Sequence, residues 1–66
     1  MKFDIGDLVH YQPAPTTPIY TGVVINKTWR EDLGCDWYYK LYFIYEEDEA
    51  WIQERFIRKY GGFNGV

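Results

Sequence analysis

Hydrophobic and polar positions alternate with a period of two, or fall into short apolar runs, along most of the chain. This pattern is typical of β-strands, because successive side chains of a strand point to opposite faces. The first two apolar runs cover residues 8–11 and 19–27. In the third, 37–45, six of the nine residues are aromatic, and the four residues that follow at 46–49 are acidic. This stretch predicts a strand that enters a solvated hairpin turn.

The remaining segments complete a prediction of five strands. Residues 50–52 are expected to form a short return strand. Residues 53–56 suit a single 3₁₀ turn, because the segment is too short for a stable helix. A last strand is expected over 57–60. Three prolines predict a long, stiff surface loop over 12–18, and 29–36 reads as a polar connection.

Two glycines mark positions where the backbone needs special geometry. Gly22 lies inside the second strand, where glycine indicates a bulge or the close approach of another backbone. Gly34 lies in the polar connection and is expected at its turn.

Alternation divides the aromatic run between two faces. The face expected to build the core carries Trp37, Tyr39, Leu41 and Phe43. The face expected at the surface, joined by Tyr20 from the neighbouring strand, carries Tyr38, Lys40 and Tyr42. Such displayed rings can hold a partner's Arg or Lys through cation–π contacts of about 0.5–2 kcal/mol each, or can pair across strands and stabilise a hairpin. Trp51 is expected in the core, whereas Trp29 is expected to be exposed.

The 66 residues are enough for one small domain, predicted over 1–60 with a C-terminal tail at 61–66. A chain of this length buries only about 60% of the surface that its unfolded form exposes. Its core must therefore be efficient, and an aromatic content of 21% serves that need. The tyrosines are expected to keep several hydroxyl groups at the surface, because a buried phenol needs a hydrogen-bond partner.

The formal net charge of −3 opposes sequence-independent binding to duplex DNA, which needs a basic surface. A charged partner is therefore expected to be basic. Glu46, Glu47 and Asp48 could attract it, or could simply keep the turn solvated and discourage edge aggregation. Their spacing does not match a calcium-binding loop, and the sequence predicts no metal site and no cofactor.

Cys35 is the single cysteine, so it cannot form an internal disulfide, and no Cys/His spacing resembles a zinc site. The N-terminal residues lack the apolar core of a secretory signal, and no run approaches a membrane span of about 20 apolar residues. These features predict a cytoplasmic protein that does not enter a membrane. His10 is the single histidine and has no nucleophile or acid at motif spacing, so no enzyme is predicted.

Four segments together resemble the sequence segments that recur in SH3-like small β-barrels: IGDLV at 5–9, TGVV at 21–24, YKLYF at 39–43 and WIQERFI at 51–57. The resemblance covers roughly residues 3–60 and implies a five-stranded barrel with a 3₁₀ turn before the last strand. KOW, Tudor and photosystem-accessory barrels share these features, and the chain is similar in size and style to small phage-encoded barrels.

The resemblance implies several uses, because the scaffold hosts unrelated functions. The chain has no match to the Ala-Leu-Tyr-Asp-Tyr segment of SH3 domains that bind proline-rich ligands. Its loops are mostly acidic, unlike those of KOW domains. Tudor barrels hold methylated Lys or Arg in an aromatic cage beside an acid. The residues here with that chemistry are Trp29, Trp37, Tyr38 and Tyr42, with Asp32 or Asp36.

We therefore expect a non-enzymatic module that binds a basic or proline-containing protein partner through aromatic side chains rimmed by acids. The predicted binding residues are Tyr20, Trp29, Tyr38, Lys40, Tyr42, Glu46, Glu47 and Asp48. Two alternatives remain open: a barrel that binds single-stranded nucleic acid by stacking bases on Tyr and Trp, and a structural or self-associating accessory protein. The main hypothesis also allows self-association, so a homo-oligomer is a further open alternative.

Overall fold

Five antiparallel strands form a single sheet in the computed structural model, which describes residues 2–60. The strands are β1 (Leu8–Tyr11), β2 (Tyr20–Arg30), β3 (Asp36–Phe43), β4 (Asp48–Gln53) and β5 (Ile57–Lys59), and Glu54–Phe56 form a 3₁₀ turn. The order across the sheet is β4-β3-β2-β1-β5, so β4 and β5 are its two edges. The all-β prediction is confirmed for this part of the chain. None of its helical segments is long and apolar enough to cross a membrane.

The hairpin of β2 and β3 is longer than the sequence predicts. β2 continues to Arg30, so Trp29 is a strand residue and the connection shrinks to 31–35. At the other end β3 stops at Phe43, and Ile44 and Tyr45 lie in the turn. The acidic run is divided, because Asp48 already begins β4. The predicted tail at 61–66 lies outside the described residues.

The bulge in β2 falls at Ile25, where the register with β3 shifts between Val24 and Asn26. Val24 at this point bonds the segment before β1: its carbonyl accepts from the Gly6 N–H at 2.8 Å, and its N–H donates to the Asp7 carbonyl at 2.9 Å. Val24, which lies next to the bulge, thus ties the N-terminal segment to the sheet. Of the two explanations predicted for Gly22, the close approach is correct.

A side chain at Gly22 would meet the neighbouring strand. A Cβ atom built there would lie 3.1 Å from the backbone oxygen of Tyr42 and 3.4 Å from the ring of Phe43. Gly22 pairs with Phe43 across β2 and β3. The missing side chain therefore leaves the space that the Phe43 ring occupies.

The core lies on one face of the sheet, as the alternation in β3 predicts. Its buried residues are Phe3, Val9, Val24, Tyr39, Leu41, Phe43 and Ile57. Trp37 is half-buried and packs against them. The prediction that Trp37, Tyr39, Leu41 and Phe43 of β3 point inward is therefore confirmed. Trp51 was expected in this core, and that expectation is wrong: it is 46% exposed and pairs with Lys40 of the outward set.

A hydrogen-bond network fastens the N-terminal segment and the 3₁₀ turn to β3. The Tyr39 hydroxyl donates to Glu54 Oε2 at 2.6 Å and accepts from the backbone N–H groups of Lys2 and Phe3, at 3.2 and 3.4 Å. Burial, reinforced by the hydrogen bond to Glu54, raises the pKa of Tyr39 above its ordinary value. The buried phenol is thus satisfied on both its donor and its acceptor side.

Candidate functional site

Three aromatic rings meet at one end of the sheet, because three strand ends lie side by side there. Tyr11 ends β1 and pairs directly with Tyr20, which begins β2 after the proline loop. Phe43 ends β3 and pairs with Gly22, two residues beyond Tyr20 on the same face. The register therefore places the three side chains on the core face, at its open end.

The rings form a triangle. The ring centroids are 6.1 Å apart for Tyr11 and Tyr20, 5.8 Å for Tyr11 and Phe43, and 6.0 Å for Tyr20 and Phe43. The planes are inclined at 29°, 41° and 66° in the same order, so the rings do not form one flat stack. All three rings line one concave surface. Phe43 is buried, whereas Tyr11 and Tyr20 are half-buried and reach solvent.

Two carboxylates border this concavity. Asp48 begins β4 directly opposite Phe43. Glu46 lies in the preceding turn, which closes when the Glu47 N–H donates to the Phe43 carbonyl at 2.8 Å. The resulting cavity of about 310 Å³ is called the ring pocket below, and its lining residues are Tyr11, Pro13, Tyr20, Phe43, Glu46 and Asp48.

Glu47 adjoins both rim acids without lining the ring pocket. Its φ of 54° is in the left-handed region, which non-glycine residues adopt infrequently. Of the three consecutive acids in this turn, two therefore line the ring pocket and one does not.

The eight predicted binding residues do not form one surface. Tyr20, Glu46 and Asp48 meet in the ring pocket. The outward residues of β3, which are Tyr38, Lys40 and Tyr42, lie on the opposite face of the sheet. Tyr20 does not join them, because the Tyr20 ring packs against Phe43. That part of the prediction is wrong, because the pairing register places Tyr20 on the core face beside Tyr11 and Phe43.

The outward face has a groove of its own, with a volume of about 550 Å³. Its walls include Tyr38, Trp51 and Leu33, together with Asn26, Lys27, Thr28 and Arg30. Lys40 lies beside Trp51 in the sheet and pairs with Glu49 at 3.1 Å. Tyr42 is half-buried on the same face and pairs with Glu49 across β3 and β4.

Cations around this outer groove are paired with acids. Arg30 donates to both oxygens of Asp32, at 2.9 and 2.6 Å. The hydrogen bond from Arg30 lowers the pKa of Asp32, and Asp32 raises the pKa of Arg30 in return. Lys27 Nζ lies 2.8 Å from Asp4 Oδ1, and its hydrogen bond holds the pKa of that carboxyl below its ordinary value.

Trp29 is 46% exposed, as expected, but belongs to neither cavity. It pairs with Trp37 across β2 and β3, and the two ring centroids are 5.8 Å apart. Tyr38 pairs with Thr28 one position away and so points to the other face. The rings considered for a Tudor-type cage are therefore divided between the two faces.

Sequence reasoning missed Tyr11 and Pro13 as site residues and assigned Phe43 to the core alone. One signal could have found Tyr11: a hairpin around the proline loop brings the residues that flank the loop together, and these are Tyr11 and Tyr20. Predicting Phe43 as a site residue requires the pairing register of β2 against β3, and the sequence pattern of one strand does not contain that register.

The ring pocket has the chemistry to bind a cation. Aromatic faces carry negative partial charge, and two carboxylates add full negative charge at the rim. Within residues 2–60, no three His, Cys, Asp or Glu side chains cluster in a way that could hold a metal ion. Comparison with known protein families finds no matching family, and comparisons with curated proteins and solved structures find no match.

Proposed function

We propose that this protein is a non-enzymatic binding module that takes a cationic side chain of a protein partner, Arg or Lys, into the ring pocket. One observation carries the proposal: a solvent-open concavity formed by the rings of Tyr11, Tyr20 and Phe43 has Glu46 and Asp48 at its rim. A neutral apolar ligand would gain nothing from the two acids, whereas a cation uses both the rings and the carboxylates.

The interaction is of moderate strength by its physics. A cation over an aromatic face gains about 0.5–1 kcal/mol at an exposed site and about 2 kcal/mol or more when water is excluded. A solvent-exposed carboxylate partner adds about 0.2–1 kcal/mol. Together these terms correspond to a preference of roughly tenfold for a cationic side chain over a neutral one of the same shape.

We also propose that the five strands form an SH3-like small barrel. The strand order β4-β3-β2-β1-β5 and the 3₁₀ turn between β4 and β5 support this assignment. Loops at the ends of small barrels commonly carry their binding sites, and the ring pocket lies between two such loops, 12–19 and 44–47.

Single-stranded nucleic acid binding is the second candidate, supported by Tyr38 and Trp51 in the outer groove, where bases could stack. It has less support than the ring pocket. The basic residues nearest these rings, Lys27, Arg30 and Lys40, are each paired with a carboxylate. Phosphate contacts there would have to compete with those pairs.

The test compares two fluorescently labelled peptides of alanine and glycine that differ only at one central residue, arginine or citrulline. Citrulline keeps the planar shape of arginine and removes its charge. Fluorescence anisotropy should give about tenfold tighter binding of the arginine peptide at low salt. Equal binding of the two peptides, or binding of neither, contradicts the proposal.

Matched variants connect that preference to the pocket. Glu46→Gln and Asp48→Asn should each reduce the arginine preference about two- to fivefold. Glu47→Gln makes the same change of charge at a residue that does not line the pocket, and should leave most of the preference intact. Equal losses in all three variants would indicate nonspecific attraction to an acidic protein.

A further inference from the structure

A third cavity, a groove next to the ring pocket, has the opposite charge. It has a volume of about 280 Å³ and lies between the proline loop and the segment that carries the 3₁₀ turn and β5. Its lining residues are Gln12, Pro13, Ala14, Pro15, Arg55, Phe56 and Arg58. Pro13 lines both cavities, so one residue of the proline loop separates them.

Arg58 is held in this groove by a neutral partner. Its Nη2 donates to Gln12 Oε1 at 3.2 Å. The amide nitrogen of Gln12 donates in turn to the carbonyl groups of Thr17 at 3.0 Å and Pro15 at 3.4 Å. Gln12 thereby fixes the loop and positions the guanidinium without neutralising its charge, and the remaining N–H donors of Arg58 stay available.

Arg55 lines the same groove, and its Cζ lies 5.9 Å from the ring centroid of Phe56. Neither Arg55 nor Arg58 has a carboxylate oxygen within ion-pair distance among residues 2–60. The acid between β4 and Arg55 is Glu54, whose Oε2 accepts from the buried Tyr39 hydroxyl instead. The pKa of Asp36 is lowered mainly by the Gln53 hydrogen bond and to a smaller extent by the charge of Arg55, so Arg55 has an acid at longer range. The groove that the two exposed arginines share is itself lined by no acid.

This differs from Lys27, Arg30 and Lys40, each of which has an acidic partner within ion-pair distance. The chain has ten acids and seven basic residues, yet this groove is lined by two arginines and by no acid. Guanidinium groups bind carboxylates through paired, parallel hydrogen bonds, which gives both strength and direction.

We infer that the Arg55–Arg58 groove is a carboxylate subsite, and that the module binds a peptide segment carrying a cationic residue and, a few positions away, an acidic residue. This inference rests on the proposed function of the ring pocket. The two cavities meet at Pro13, and an extended chain advances about 3.3–3.6 Å per residue. Because the cavities share Pro13, the two charged residues are expected within a few positions of each other.

Opposite charges in adjacent subsites would define the direction of the bound segment. A peptide placed in reverse would bring its acid to Glu46 and Asp48 and its cation to the arginines. Like charges in contact oppose binding, so the reversed orientation is excluded by electrostatics rather than by shape. The stiff proline loop keeps the two subsites at a fixed separation.

The test extends the labelled peptide pair. Peptides with the central arginine carry one glutamate or one glutamine, placed one to four residues away on either side. At least one spacing, on one side only, should bind about fivefold tighter with glutamate than with glutamine at low salt. Citrulline versions of the same peptides measure the ring-pocket contribution separately.

Variants assign the glutamate effect to the groove. Arg58→Gln should reduce the glutamate preference to less than about twofold, Arg58→Lys should retain part of it, and Arg55→Gln should weaken it. Lys59→Gln removes an adjacent exposed cation that does not line the groove and should leave it intact. The arginine-over-citrulline preference should persist in all four variants, and thermal melting checks their folding.

Two failures are distinguishable. If the arginine peptide binds better than its citrulline counterpart but glutamate and glutamine give equal affinity at every spacing, the carboxylate subsite is refuted and the ring pocket stands. If the arginine and citrulline peptides bind equally, the proposed function of the ring pocket is itself refuted. A glutamate preference that Lys59→Gln removes as fully as Arg58→Gln would also overturn the subsite.

Discussion

Removal of the Tyr39 hydroxyl should weaken the fold without changing its shape. In Tyr39→Phe the ring stays in place, but the donor to Glu54 Oε2 at 2.6 Å and the acceptor for the buried Phe3 N–H are both lost. Hydrogen bonds to charged groups contribute about 1.5–3 kcal/mol, and a buried N–H without a partner costs about 1–3 kcal/mol. Part of this is offset, because Phe has no hydroxyl to desolvate, so we expect a loss of about 2–3 kcal/mol.

Urea denaturation followed by tryptophan fluorescence measures this loss. Tyr42→Phe is the matched control, since its hydroxyl makes no hydrogen bond to the part of the chain that the structure describes. The control should change the free energy of unfolding by less than about 0.5 kcal/mol. Equal stability of Tyr39→Phe and the parent protein would refute the structural role given to this network.

The same network predicts a dependence on alkaline pH. Burial and the Glu54 hydrogen bond raise the pKa of Tyr39 in the folded state, so folding favours the neutral phenol. The unfolded chain releases this proton near the ordinary tyrosine pKa of about 10, and stability should fall as pH rises above that value. In Tyr39→Phe this part of the decline should be absent.

Three further changes test local geometry. Gly22→Ala should cost about 1–3 kcal/mol in urea denaturation, because its Cβ would lie 3.1 Å from the Tyr42 oxygen. Glu47→Gly should preserve or raise stability by up to about 1 kcal/mol, because glycine adopts the positive φ of this turn without strain. The Gln53 hydrogen bond, followed by that of the Trp37 N–H, lowers the pKa of Asp36, so its contribution to stability is lost as pH falls through the lowered value. Gln53→Leu should raise this pKa toward its ordinary value in an NMR titration.

The division of β3 between two faces was predictable, because a strand period of two needs only the local sequence. Tyr39, Leu41 and Phe43 point inward as that period requires. The ends of the strands were less predictable. Trp29 follows polar residues, yet β2 extends through it because Trp37 lies opposite. Cross-strand pairing, which local patterning does not contain, decides such boundaries.

The site was predictable only in part, because its members come from different strands. Tyr20, Glu46 and Asp48 were chosen for their chemistry, but the pairing register joins them to Tyr11 and Phe43. A shift of one residue would have turned Tyr20 to the other face. The register depends on long-range contacts, and the location of the site depends on the register.

Trp51 also shows that the position in the sheet, and not the type of residue, decides which face a side chain takes. Its size favours the core of a small domain, but alternation in β4 places it opposite Lys40 on the outward face. The smaller neighbours Ala50 and Ile52 pack against the core instead. Hydrophobicity alone does not assign a residue to a face in an edge strand.

An NMR titration with the arginine peptide tests the central claim most directly. We expect the ring-proton resonances of Tyr11, Tyr20 and Phe43 to shift in a saturable way, because a cation seated among the rings changes their environment. Those of Tyr38 and Tyr42, on the opposite face, should move little. Shifts confined to Tyr38 and Tyr42, or identical shifts with the citrulline peptide, would contradict cation binding in the ring pocket.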